Sequence, residues 1–282
     1  MWKANLNRHF RKLLPALKVS GFLIFWNALF HSFTLSILLF WTLTSHQVST
    51  LNRMSTLNQF LSENQILFAA LSCLSALLFF RAPLRELWGS RITGFPDLTR
   101  AFLRGLGFGS VMVLALILNH EYEFLGFSTQ LNLNFLAAYA WIFRAILIFV
   151  FVFSTEFLVR VIIHHELVEV RYRMVLETLT LLLIYWIWFS PKFSEMVTLI
   201  LLFGIFGSFW SALGFISAFF ILVHAIFGLN FFENESSGIL QLKLSHSEET
   251  LFQNGHLQIM LFILLILVQY AKMKPRKEIT LP

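Results

Sequence analysis

From Val197 to Phe232 the chain runs for 36 residues without an aspartate, glutamate, lysine or arginine. One bilayer crossing takes about 20 residues, so this stretch predicts two membrane spans joined by a tight turn. The small residues Gly204, Gly207, Ser208, Ser211 and Gly214 mark where the turn falls, and they also allow close helix packing. The rest of the chain has the same character: 57% of its 282 residues are hydrophobic and 13% are charged, at a mean hydropathy of +0.74. Globular domains carry about 25% charged residues. The expected fold class is all-α, a polytopic membrane helix bundle.

Taken in order, residues 1–18 form a basic arm in which Lys3, Arg8, Arg11, Lys12 and Lys18 surround Phe10, Leu13 and Leu14. Such an arm suits an interfacial helix held on an anionic leaflet. Val19 to Leu43 is a first span, too long for a signal-peptide core and without a small-x-small cleavage site, so it is expected to stay uncleaved. Further spans are expected at Gln65 to Phe80, about Ala101 to Leu118, Phe135 to Phe153, Met174 to Phe189, the pair within 197–232, and Leu257 to Tyr270. That makes about eight, a bundle over 19–270, with a basic tail at 271–282.

Charge orients the bundle. With both termini inside, cytoplasmic segments hold 17 of the 21 lysines and arginines, and only Arg53, Arg144, Lys192 and Lys243 fall elsewhere. That bias is the expected positive-inside pattern. The formal charge of +6 therefore reads as topology. No basic face with interleaved aromatics stands apart from the spans, so no nucleic-acid partner is expected. Membrane lipids are the expected partners, in a bacterial inner (plasma) membrane.

Candidate chemistry concentrates at Glu156 and Arg160, placed at the inner end of the fourth span. Their i,i+4 spacing and Glu-before-Arg order favour an ion pair, and an intramembrane carboxylate points to function by default. A structural helix-end pair at the headgroups is the other reading. Arg144, about ten residues into its span, is expected to face protein or water. His164 and His165 lie about 100° apart and do not face one site together. Asn27 and His31 suit interhelical hydrogen bonding. Cys73, the single cysteine, lies in an apolar run, which excludes an intrachain disulfide and disfavours a thiolate nucleophile. Tyr185, Trp186, Trp188 and Phe189 suit an aromatic belt at the outer interface. His224 reads either as hydrogen-bonded packing or as the imidazole of a site that also uses Glu156; this topology puts it in the outer half of its span, away from Glu156.

At Thr155-Glu156-Phe157-Leu158-Val159-Arg160 the chain resembles the CAAX protease and bacteriocin-processing family of intramembrane metalloproteases, also called CPBP or Abi. The family motif is Glu-Glu-x-x-x-Arg; the second Glu and the Arg match, and Thr155 replaces the first Glu. Leu84 to Leu87 resembles the family's Leu-Arg-x-Leu segment, and His224 to Asn230 with Ser236-Ser237-Gly238 is similar to its His-x-x-x-Asn motif and trailing loop. The likeness spans about 81–270. No His follows on the fifth or sixth span, where Tyr185-Trp-Ile-Trp-Phe189 stands instead, and Gly228 replaces the Asn four residues after His224. The resemblance implies an endopeptidase acting on prenylated or hydrophobic membrane peptides, with Glu156 as base, Arg160 orienting it, His224 as imidazole and a divalent metal such as zinc in an active member. Its departures leave open a divergent or inactive member, or a non-catalytic membrane protein: an assembly partner or a lipid- or peptide-handling accessory.

Overall fold

Helix α1 (Trp2–Thr44) carries the basic arm into the first span without a break. Its inward positions Leu23, Asn27, Thr34 and Leu38 are buried, while Phe25, Leu29, Phe33, Ile37 and Phe40 stand half to two-thirds exposed. The two stripes alternate at helical spacing: the outward one is apolar throughout, and the polar Asn27 and Thr34 sit on the inward one beside Leu23 and Leu38. In the computed structural model the described residues are 2–44, 50–80, 95–118, 122–127, 135–167, 172–190, 196, 199–200, 202–204, 206, 208–226 and 240–244. For 2–12, 42, 50–63, 95, 116, 122, 123, 125, 127, 135–138, 140, 224 and 240–244 the backbone alone is described.

The other helices are α2 (Thr50–Phe79), α3 (Phe95–Leu118), α4 (Phe135–Phe157), α5 (Arg173–Phe189) and α6 (Phe209–Phe220). A π-helical turn, Leu158–Ile163, carries α4 on to His164–Glu166, and a second, Ile221–Ile226, extends α6. Among the described residues three helical stretches are long and apolar enough to cross a membrane: Leu13–Trp41, Pro96–Ala115 and Trp141–Glu166. Asn64–Phe79 and Phe209–Val223 are shorter apolar helices. The described architecture is thus nearly all helical and carries helices of membrane-crossing length and hydropathy. The basic segment 81–94 with Leu84 to Leu87, residues 227–239, which include Gly228, Asn230 and Ser236 to Gly238, the span at 257–270 and the tail at 271–282 lie outside the described residues.

Two features depart from the sequence reading. First, the fourth span does not end near Phe153; the helix runs unbroken to Glu166, so Glu156 sits inside it and not at its border. Second, the expected loops 119–132 and 233–256 contribute strands β1 (Tyr122–Phe127) and β2 (Leu240–Leu244), which pair antiparallel. The ladder shifts between Phe124 and Gly126, and Gly126 takes φ +118°, a bulge conformation that a side chain would strain.

Helices α3 and α6 meet backbone to backbone. A Cβ on Gly105 would stand 2.4 Å from the Phe215 carbonyl oxygen, and one on Gly214 would stand 2.4 Å from that of Leu98. Gly105 and Gly109 form a G-x-x-x-G step, the small-residue device by which membrane helices approach closely. Helix α6 starts after the N-cap Ser208, whose hydroxyl accepts from the Ser211 amide.

A second junction joins α1, α2 and α5. The Asn27 amide donates to the Leu23 carbonyl at 2.8 Å, and its Oδ1 accepts from Ser72 at 3.0 Å, Trp188 Nε1 at 2.9 Å and Cys73 Sγ at 3.5 Å. Trp26 Nε1 adds bonds to the Ser72 carbonyl and Ser75 hydroxyl. Asn27 is therefore interhelical glue, as its position predicts, and the His31 ring packs edge-on against Trp188. Of the aromatics expected to form a belt, Trp186 is exposed, whereas Tyr185 and Trp188 are 2% exposed and face the protein interior. The inward stripe Glu177, Thr180, Leu181, Ile184, Tyr185, Trp188 explains why: those positions recur at helical spacing on the buried face.

Candidate functional site: a buried carboxylate and its guanidinium

Glu156 is fully buried near the end of α4, and Arg160 lies one turn on, in the π-helical turn, at 4% exposure. Turns of this kind are frequent at functional positions. Arg160 Nε donates to Glu156 Oε2, forming the ion pair that the spacing predicts. Its remaining arms reach a different part of the chain: Nη1 donates to the Phe206 carbonyl, and Nη2 donates to that of Phe203 at 2.6 Å. Those carbonyls belong to the helical residues 202–204 and to Phe206, ahead of α6 in the chain. One guanidinium thus neutralises a buried carboxylate and fastens α4 to the segment leading into α6.

The other carboxylate oxygen, Glu156 Oε1, is buried without a hydrogen-bond partner. Among the described residues two more buried oxygens share that state, the Tyr185 hydroxyl and Ser217 Oγ. Tyr185 lies beside the pair. Its ring packs on Phe151 of α4, on Phe203, whose carbonyl Arg160 holds, and on Phe220 of α6, at centroid distances of 5.0, 4.9 and 5.9 Å. Thr155, next to Glu156 in the chain, is buried and donates to the Phe151 and Val152 carbonyls of its own helix.

A second buried carboxylate stands at the half-exposed end of the same seam. Glu177, on α5, is 4% exposed; its Oε1 lies 2.8 Å from His164 Nδ1 and 3.6 Å from Arg173 Nε. The sequence reading, which gave the fifth span as Met174 to Phe189, did not single out Glu177. Arg173 four residues before it and its place on the inward stripe of α5 were the signals. His165 is exposed, so the two histidines do diverge. Arg144 is half-buried and engaged by a neighbour.

His224 lies in the second π-helical turn, four residues after Phe220, about 6 Å further along at the helical rise. Its side chain lies outside the described residues. For a divalent metal, the described residues offer no group of three or more His, Cys, Asp or Glu side chains. Among the described residues no such group is assembled, and none of the chemistry below passes through a metal. The chain matches no family model, no curated protein and no solved structure.

Proposed function

We propose that this chain is a divergent, CPBP-like intramembrane endopeptidase that acts on prenylated or hydrophobic membrane peptides. The carrying observation is the asymmetry of Glu156: one oxygen is fixed by Arg160 and the other is free to accept a proton. A general base needs this combination of fixed orientation and an available lone pair. Arg160 is the orienting group, since its planar fork holds Glu156 and two backbone carbonyls together. His224 is the imidazole that would complete the site. The surrounding bundle has eight spans and both termini in the cytoplasm of a bacterial inner membrane. The β1–β2 pairing supports that topology, because it needs segments 119–132 and 233–256 on one side of the bundle.

A second reading rests on a specific observation. Glu156 has no accessible surface, every described polar arm of Arg160 is spent inside the protein, and Thr155 adds no second carboxylate. Those facts favour a non-catalytic multi-pass protein in which the pair is a structural clamp.

Purified protein incubated with a labelled prenyl-peptide separates the two. Glu156→Gln keeps the shape and an acceptor oxygen for Arg160 but cannot take the proton, so it should abolish turnover in protein that still folds, at a cost in stability from the uncompensated guanidinium. Turnover retained in Glu156→Gln makes the pair structural. Topology is tested by cysteine labelling of intact cells: reagent should reach Ser247→Cys and not Lys274→Cys, and the reverse pattern would sink the assignment.

A further inference from the structure

Helix α3 carries two cations on the side it turns away from the protein. Arg100 and Arg104 are both exposed and stand four residues apart, about 6 Å along one face of the helix. Among the described residues neither makes an ion pair or a side-chain hydrogen bond. Asp97, the acid nearest in sequence, stands in the first turn, where it complements the helix dipole, and it pairs with neither arginine. The opposite side of α3 is already occupied. Ala101 and Met112 are buried there, and Gly105 and Gly109 abut α6 and its extension.

Beyond the arginines the exposed face changes character. Gly107 has open space where a Cβ would stand, and Val111, Leu114 and Leu118 are each more than half exposed. At about 100° per residue these positions fall on one stripe with Arg100 and Arg104, cations at one end and apolar surface at the other. In a bilayer that order strains the cationic end. The stretch of α3 able to cross begins at Pro96, which places Arg104 about 12 Å into it. From Arg104 to the helix end at Leu118 the rise is only about 21 Å, against a hydrocarbon core of about 30 Å. Arginine stays charged, so this one meets the hydrocarbon boundary as a cation. Its alkyl stem lies along the apolar surface and lifts the guanidinium toward the headgroups, where the available anion is phosphate.

We propose that Arg100 and Arg104 form a binding site for an anionic phospholipid, whose phosphate is held between the two guanidiniums and whose acyl chain lies along Gly107 and Val111. Two unopposed positive charges select a headgroup of net negative charge, such as phosphatidylglycerol, over phosphatidylcholine, whose choline cancels the phosphate. In the proposed topology the leaflet is the cytoplasmic one. The site is independent of the peptidase reading and requires only that α3 crosses the membrane.

The test places the full chain in nanodiscs of mixed phosphatidylglycerol and phosphatidylcholine, transfers it to detergent and counts the retained lipid by native mass spectrometry. Wild type should retain phosphatidylglycerol in preference, by about fivefold for each arginine. Arg100→Gln with Arg104→Gln should remove that preference, about 25-fold in all, whereas Lys18→Gln, an exposed cation on α1, should leave it unchanged. Equal retention of the two lipids by wild type overturns the proposal. So does a double variant that keeps the preference, or a Lys18→Gln variant that loses it as fully, because the lipid is then held by basic charge elsewhere. Inorganic phosphate that displaces the lipid at millimolar concentration overturns it as well, since the site would then take a free anion. Both arginines face away from the protein, so the double variant should fold. Should it fail to accumulate, Arg100→Gln alone should lower the preference about fivefold, and an unchanged preference there also overturns the site.

Discussion

The Asn27 junction and the Glu156 site are both polar clusters buried between helices, yet they are completed to different degrees. Around Asn27 the amide donates, its oxygen accepts from three helix-borne groups, and the neighbouring indole of Trp26 finds two acceptors. Around Glu156 a full charge is buried, and one of its oxygens remains open. A saturated cluster has nothing left to offer a ligand and serves packing. An unsaturated one keeps capacity at a cost in stability, a pattern found where side chains act on something other than each other.

The largest effect should come from breaking the charge pair. Arg160→Met strands a buried carboxylate and frees the Phe203 and Phe206 carbonyls, for an expected loss of about 3–5 kcal/mol. Unfolding by denaturant titration in nanodiscs measures it. A double variant, Glu156→Leu with Arg160→Met, should recover much of that loss, because an apolar pair of similar volume avoids the desolvation penalty. Recovery would show that the pair is kept for something other than stability, and it would sharpen the contrast with Asn27.

Next comes the contact that owes nothing to polar groups. Gly214→Ala places a methyl against the Leu98 carbonyl and Phe102 amide, where no flexible side chain can yield, so α3 and α6 must separate. The expected cost is about 1–3 kcal/mol. Gly107→Ala, on the same helix as Gly105 but with nothing within 4 Å of the added Cβ, is the control and should be neutral or stabilising.

Asn27→Leu tests the saturated cluster itself. It leaves Trp188 Nε1 and the Ser72 hydroxyl without their acceptor, for an expected loss of about 1–2 kcal/mol, in the range of interhelical polar contacts in membranes. A loss as large as that of Arg160→Met would erase the distinction between the two clusters.

The difference in legibility between the two regions has a physical origin. Glu156–Arg160 and Asn27 were readable because their signals are local: an i,i+4 charge pair and a lone amide in an apolar run. What completes them was not. Arg160 reaches backbone carbonyls 43 and 46 residues downstream, and every residue type carries such an oxygen. Tyr185 and Trp188 were read as a belt because an aromatic cluster near a span end fits the interface by composition alone; only the stripe through Glu177, Thr180 and Leu181 reveals which rings turn inward. Gly105 and Gly109 were passed over beside the more conspicuous small-residue cluster before α6, although the close approach needs glycine on both helices. The end of the fourth span was placed too early because Glu156 reads as a border when its neutralising partner is not yet in view.

The smallest expected effect concerns Ser217, the third buried oxygen without a partner. It lies on α6 one turn before Phe220, the ring stacked on Tyr185, and its hydroxyl does not bond back to its own helix. If that hydroxyl is only a packing remnant, Ser217→Ala removes a desolvated polar group from an otherwise apolar face and should stabilise the protein by about 1 kcal/mol or less. The change is small because a serine hydroxyl displaces little volume. If Ser217→Ala instead destabilises, and does so only when Tyr185 is intact, the two hydroxyls share a partner. A double-mutant cycle with Tyr185→Phe decides between these: additive effects keep Ser217 with the packing, and a coupling energy of 0.5 kcal/mol or more moves it into the Glu156 site.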